Sequence, residues 1–378
     1  MDRATINTLH RRLLARLQTD TTDCAATPGT VAASSFTCPD LLARERQSLF
    51  ARTPQPVALS GEIADPGDYL TLQVLGTPVL LTRDEGGAVH AFINACAHRG
   101  SPVALGSGSA RSLICPFHGW AYRLDGRLRG RPQADCFSSS EPHSELRSLP
   151  VSENYGIVVI GLTQDMPQSH IDNALLEIGE ELRSMDLASY RPLARRAFSV
   201  RANWKLVNDL SLESYHFHSL HRDSVAQILE ANAVVDTFGR HSRWAFPFKS
   251  IAALEDRDEA EWPDQLQGSC TYTLYPGVML VVNSLGAQFI RAEPGPGPAQ
   301  SNVDFVGMCS DMERAKEATQ AFEFGEKVFA QEDLPAAEAC QQGLSARGGE
   351  LPLGRNEPLL QFWHRLWREA CEEREERS

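Results

Sequence analysis

The sequence predicts an α+β protein, and three observations carry that expectation. From Val57 to about Thr163, short apolar strands alternate with Gly, Asp or Pro, as at Tyr69–Val74, Thr77–Thr82, Val89–Asn94 and Ile157–Ile160. Between Cys270 and Arg291, two or three more apolar strands are broken by Tyr275-Pro276-Gly277 and by Gly286. Amphipathic helical segments then run from Met312 to Ala330 and from Pro358 onward. The expected architecture is a small antiparallel β domain, followed by an antiparallel sheet with helices over one face.

In chain order, a first helix spans Ile6 to Leu17, apolar at Leu9, Leu13, Leu14 and Leu17, and fades into Thr-, Ala- and Gly-rich loop by Pro28. Residues 1–35 read as an N-terminal extension with a mobile start. Pro39–Arg52 predicts a helix with Pro in its first turn and Leu42, Arg46, Leu49 and Phe50 in helical spacing. We assign 36–56 to the larger domain, 57–163 to the β domain and 164–378 to the larger domain proper. Within the last, Ile171–Met185 predicts one amphipathic helix and Leu193–Arg201 a strand. The Met312–Ala330 helix places Ala315, Ala318, Phe322, Gly325 and Phe329 on one face. The final helix places Leu359, Phe362, Trp363, Leu366 and Trp367 on its core face, then ends in a solvated charge run from Glu372 to Arg377.

At 378 residues the chain is long enough for two domains and a sizeable core. A net charge of −13 argues against nucleic acid or an anionic membrane as partner. No apolar run approaches membrane-helix length, and the first thirty residues lack the apolar block of a secretory signal. Of the nine cysteines, seven (Cys24, Cys38, Cys136, Cys270, Cys309, Cys340 and Cys371) are scattered, as buried small apolar residues would be. Free thiols suit a reducing cytoplasm.

The other two cysteines lie in the stretch that carries chemistry, Asn94 to Trp120. It holds Cys96-x-His98 and then Cys115-x-x-His118, with Gly100, Pro102, Gly106, Gly108, Pro116 and Gly119 crowding both pairs into turns. Two Cys and two His fit a structural zinc. They also fit a Rieske [2Fe–2S] centre, in which two His replace two Cys on one iron. Zinc fingers usually pair Cys with Cys and His with His, whereas here each half supplies one of each, which favours the iron pair.

CxHRG followed by CPFHGW resembles the cluster motif of Rieske-type non-haem iron oxygenases, in the large oxygenase component. Two further stretches extend the resemblance: Asn203–His221 (NWKLVNDLSLESYHFHSLH), and Gln331-Glu332-Asp333-Leu334 with Glu338 and Gln341 after it. The similarity runs from roughly Ser35 to the last helix. It implies an all-β Rieske domain ahead of a helix-grip-like catalytic domain. It also implies a mononuclear Fe(II) site, which in such enzymes takes two His and a carboxylate with open positions on one side.

The residues alone leave the histidines open. His216 and His221, five apart, sit roughly 140° apart around a regular helix, so geometry favours His218 with His221. The family motif instead spaces its ligands as His216 and His221, which requires a break or π-bulge between Phe217 and Leu220. His218 is then a residue behind the ligands or in the pocket. Asp333 is the carboxylate ligand by resemblance, with Glu332 its competitor. Its place ahead of Pro335, where a helix restarts, also suits an N-cap. Glu213 occupies the bridging position, three before His216, where it would orient the ligand and pass electrons from a neighbouring subunit's cluster. Relatives that hydroxylate aromatic rings mostly carry Asp there. Glu is associated with the branch acting on carnitine, betaine and similar amines. Asp209-Leu210 departs from the family's usual acidic-Asn pair.

The resemblance implies the oxygenase component of a multicomponent system using O₂, with NAD(P)H electrons supplied by a separate flavin/iron–sulfur reductase. This chain has neither a dinucleotide fingerprint nor a ferredoxin cysteine run. Head-to-tail rings, most often homotrimers, are implied as well. The expected substrate is a small nitrogen compound undergoing hydroxylation, N-demethylation or N-oxygenation. Aromatic-ring hydroxylation or cis-dihydroxylation is the alternative. A Rieske electron carrier and a zinc-stabilised non-enzyme are rivals of another class. Candidate pocket walls are Leu206, Asn208, Leu212, Phe217, Trp244, Phe246, Asn283 and Phe289, each equally compatible with core packing. A quaternary ammonium calls for an aromatic cage; a neutral amine or amino-heteroarene is equally open.

Overall fold

The computed structural model describes residues 1–138 and 144–372, so the charge run beyond Glu372 lies outside the described residues. By packing, the chain divides into Phe50–Leu176 with Leu187–Ser189, and Met1–Leu49 with Glu177–Asp186 and Tyr190 onward. Residues 50–56 and 164–176, read from the sequence with the larger domain, thus pack with the β unit.

The β unit holds a five-stranded antiparallel sheet with the order Ser148–Leu149, Val89–Ile93, Thr77–Arg83, Asp68–Val74, Ser107–Ser109. A three-stranded sheet joins Val151–Asn154, Ile157–Ile160 and Gln55–Leu59. Alternate residues such as Leu70, Leu72, Val79 and Leu81 meet Val57, Val158 and Ile160 in one core, as the two-residue period of a strand requires. A second core (Leu80, Phe92, Leu113, Trp120, Tyr122 and Leu124) surrounds Cys96 and Cys115.

The other unit is built on a seven-stranded antiparallel sheet with the order Arg191–Val200, Ser301–Cys309, Gly286–Pro294, Val278–Asn283, Gly268–Leu274, His241–Pro247, Val234–Phe238. Phe305 packs edge-on to Phe322 and Phe329 of the overlying helix, at 5.3 and 5.4 Å between centroids. Gly307 makes this approach possible, because a Cβ there would overlap the Phe322 ring. The last helix, Pro358–Glu372, buries Leu359, Leu360, Trp363, Trp367 and Cys371, while Phe362 and Leu366 are only half-buried.

Four local expectations change. The N-terminal helix, Arg3–Gln18, is docked rather than loose: Leu9 and Leu13 are fully buried, and Arg12 pairs with Asp236 at 2.8 Å. His10 is buried beside them and accepts the Gln267 N–H at 2.9 Å, and burial lowers its pKa to about 4. The Pro39 helix is α-helical only to Arg44 and turns as a π-helix over Glu45–Phe50. That turn buries Glu45 against Lys205 and the Trp204 indole N–H. The single helix expected over Ile171–Met185 is three short pieces, Gln168–Asp172, Leu176–Ile178 and Gly179–Arg183. The chain leaves one unit for the other within it. Finally, the Ala315–Val328 helix does not stop near Ala330. It runs through a π turn, Phe329–Asp333, into Leu334–Arg347. The wider turn accommodates Pro335, which has no N–H to continue an α ladder.

Candidate metal centres

The two cluster turns are built alike. Cys96 N–H donates to Ser101 O and Gly100 N–H to Cys96 O, both at 2.8 Å. Cys115 N–H donates to Trp120 O at 2.8 Å and Gly119 N–H to Cys115 O at 3.0 Å. Gly100 and Gly119 take left-handed φ values of +74° and +72°, which close each turn without a Cβ penalty. The His98 and His118 rings then lie 4.5 Å apart, and Trp120 stacks on His98 at 5.1 Å with the planes 3° from parallel. Tyr122 Oη sits 3.2 Å from Cys96 Sγ and accepts the Ala97 N–H at 3.1 Å. Burial alone would raise the Cys115 thiol. The Phe117 and His118 N–H groups, with the Cys96 and Ser101 side chains, outweigh it and lower the pKa, which favours the thiolate a metal binds. His98 Nδ1 is buried with no hydrogen-bond partner. An orphaned lone pair beside two thiols fits an iron–sulfur cluster.

The second constellation joins segments more than a hundred residues apart. Asn203 caps the short helix Trp204–Asp209 through Lys205 N–H. After a turn, a single helical turn over Phe217–Leu220 follows, with His216 ahead of it and His221 behind. The interruption thus flanks this turn instead of falling inside it. The π turn of the site lies instead at Phe329–Asp333. Asp333 makes no capping hydrogen bond. Its Oδ1 is buried without a hydrogen-bond partner, 3.1 Å from His221 Nε2 and 3.9 Å from His216 Nε2. The three ligand atoms all lie within 4.8 Å of one another. That spacing suits one ion held on one side.

Both imidazoles are tied from behind. His216 Nδ1 donates to Glu213 at 2.6 Å, and His221 Nδ1 donates to Glu332 at 2.7 Å, so each Nε2 is left toward Asp333. Burial would lower the His221 pKa, but the Asp333 and Glu332 carboxylates raise it overall. Glu332, a competitor for the ligand position in the sequence, is thus the partner of His221 and also accepts Ser224 Oγ–H at 2.7 Å. Its place beside Asp333 in sequence gave no sign of this. Glu332→Gln is expected to weaken iron binding about 10–100-fold, the usual cost of losing such a partner, read by competition with a chelator. Glu338 and Gln341 hold the two ligand segments together: Glu338 accepts from Arg201 at 2.7 Å and Gln341 from Asn203 N–H at 2.8 Å.

His218 is exposed and belongs neither behind the ligands nor in the pocket. A cavity of about 320 Å³ opens on His216, His221 and Asp333. Of the eight expected wall residues it takes Phe217, Trp244, Phe246 and Asn283. Leu206 packs into the core, Asn208 and Leu212 are buried, and Phe289 points away because its neighbours Gln288 and Ile290 face the cavity. Leu210 lines the cavity, while Asp209 turns to His364 at 3.0 Å.

Residues 53–150 match the Rieske [2Fe-2S] domain, and residues 187–373 match the ring hydroxylating alpha subunit (catalytic domain). The carnitine monooxygenase oxygenase subunit of Acinetobacter pittii (strain PHEA-2) is 27% identical over 322 residues, covering 83% of this chain and 84% of that one. The glycine betaine monooxygenase oxygenase subunit of Pseudomonas aeruginosa (strain UCBPP-PA14) is 32% identical over 221 residues, covering 57% and 49%. In fold, the chain superposes on the quaternary ammonium Rieske monooxygenase CntA in complex with L-carnitine, with a TM-score of 0.75 at 23% identity, over 90% of this chain and 95% of that one. With a Rieske domain ahead of an alpha-subunit catalytic domain, this chain belongs to the Rieske non-haem iron oxygenases.

Proposed function

We infer that this oxygenase oxidises a small alkylated nitrogen compound at the His216/His221/Asp333 centre. The observation that carries the reading is an aromatic corner beside the imidazoles. Phe217 lies 5.2 Å from His216 and 5.8 Å from His221 between ring centroids, with Trp244 and Phe246 at 5.8 and 5.4 Å from Phe217. Such a corner attracts a cationic or N-alkylated group, and the cavity is at the small end of ligand-sized pockets. The relatives' names, carnitine and glycine betaine monooxygenase, point the same way.

Cys96, His98, Cys115 and His118 would hold the [2Fe–2S] cluster, and His216, His221 and Asp333 the mononuclear iron. When bound, the cluster stores reductase-derived electrons and the single iron supplies the O₂ chemistry. The chain's own contribution is orientation. Glu213 and Glu332 each take one imidazole N–H, which sets the tautomer of each ligand. The aromatic corner holds the substrate against the triad and limits water there. In the same reading Glu213 is the electron bridge, copies of the chain form a head-to-tail trimer, and the protein works in the cytoplasm with a separate reductase. All nine cysteines are unpaired, as a reducing compartment expects. Among the described residues, no helix is long and apolar enough to cross a membrane.

The test is O₂ uptake by iron-loaded protein with an electron-donating reductase, screened over methylated amines and fused aromatic hydrocarbons. Uptake and formaldehyde or hydroxylated product with amines is the expected result. Uptake with the hydrocarbons alone would sink the reading.

A further inference from the structure

We propose that the substrate carries no anionic group, and that its polar end is an uncharged hydrogen-bonding one, as in a choline-like amino alcohol. This deepens the amine reading above and rests on it.

Two of the cavity's walls are the His216/His221/Asp333 triad and the aromatic corner. What remains polar is uncharged: Ser211, Ser269, Thr271, Asn283, Ser284 and Gln288. Among the described residues no lysine or arginine lines the cavity, and Asp333 is its only carboxylate. Its apolar rim includes Ile228 and Phe324, which stay 47% and 42% exposed. With its amine end at the triad, a substrate that carried a carboxylate would bring it to walls that offer no cationic side chain.

The sheet does carry arginines next to cavity residues, but on its opposite face. Trp244 and Ile290 face the cavity, so strand alternation turns Arg243 and Arg291 away from it. Both are already paired, Arg243 with Glu181 at 2.6 Å and Asp236 at 2.7 Å, and Arg291 with Glu293 at 2.6 Å and Asp304 at 3.1 Å. Turning either one to a substrate would give up two ion pairs.

Gln288 is the group best placed to receive a hydroxyl. It is half-buried in the wall, and the facing helix gives it room: a Cβ on Gly325 would overlap the Gln288 amide. A side-chain amide can donate to or accept from a neutral hydroxyl, but cannot neutralise a carboxylate.

Choline and glycine betaine share a trimethylammonium head and differ in a hydroxymethyl group against a carboxylate. With the iron-loaded protein under nitrogen, calorimetry is expected to show choline binding about tenfold or more tighter than glycine betaine, since the walls away from the triad give a carboxylate no cationic side chain to pair with. Gln288→Arg supplies the missing cation and is expected to reverse the preference. Asn283→Lys carries the same test if Gln288→Arg does not fold. Glycine betaine binding as tightly as choline to the unaltered protein would overturn this inference and leave the amine reading standing. So would an unchanged preference in the folded arginine or lysine variant. Binding of neither ligand would overturn the amine reading, and this inference with it.

Discussion

His216→Ala is expected to leave the purified protein brown while removing one iron of about three per chain, two in the cluster and one mononuclear. Turnover should fall to background. Among the described residues His216 is one of three converging donors, and its Nε2 stands 3.9 Å from Asp333 Oδ1. Losing it leaves His221 and Asp333, a pair 3.1 Å apart, with no third donor to close the face. The cluster turns have their own contacts: Ser101 and Trp120 accept the Cys96 and Cys115 N–H groups, Tyr122 Oη lies beside Cys96 Sγ and Trp120 stacks on His98. Cys96→Ala is the reciprocal case and should bleach the protein while keeping the mononuclear iron. Iron and acid-labile sulfide analysis with a visible spectrum separates the two. Loss of the visible spectrum in His216→Ala would mean that the two centres are not independent, and the assignment of separate sites would fall.

Glu213→Gln is expected to keep both colour and iron yet lower turnover by at least about tenfold, within the range that loss of a ligand's partner produces. Glu213 Oε1 accepts His216 Nδ1–H at 2.6 Å, and Oε2 accepts the backbone N–H of His216 at 3.2 Å and that of Tyr215. A glutamine is nearly isosteric, but its NH₂ group cannot accept, so one side of this arrangement must break. The cluster should still be reduced normally by the reductase, which makes single-turnover kinetics the decisive measurement. Glu213→Asp should retain part of the activity, because it keeps the charge and shortens the reach. Wild-type turnover in Glu213→Gln would place the bridge elsewhere. Loss of the mononuclear iron would make Glu213 a ligand.

Spacing along the chain made the candidate cluster residues legible, because each Cys–His pair sits on one turn and turns are local. The mononuclear triad was legible only by resemblance. Helix periodicity pointed to His218, whereas the helical turn is confined to Phe217–Leu220, with His216 and His221 at its two ends, and leaves His218 in solvent. Strand positions were read well, since a two-residue period survives in any register. The walls of the cavity were not, because one residue of register decides whether Phe289 or its neighbours Gln288 and Ile290 face it.

Short-range pattern alone was enough for the α+β class, the order of the three motifs and the candidate cluster ligands. Tertiary structure decided what long-range packing controls. It assigned Glu332 to His221 across 111 positions and Asp209 to His364 across 155. It docked the N-terminal helix through Arg12 on Asp236 and extended the Ala315–Val328 helix through a π turn to present Asp333. Among the described residues, it also left the cavity without a lysine or arginine. The physical reason is common to all of these. A side chain's partner is set by which elements pack together, and burial makes an unpartnered polar group costly enough to enforce that choice.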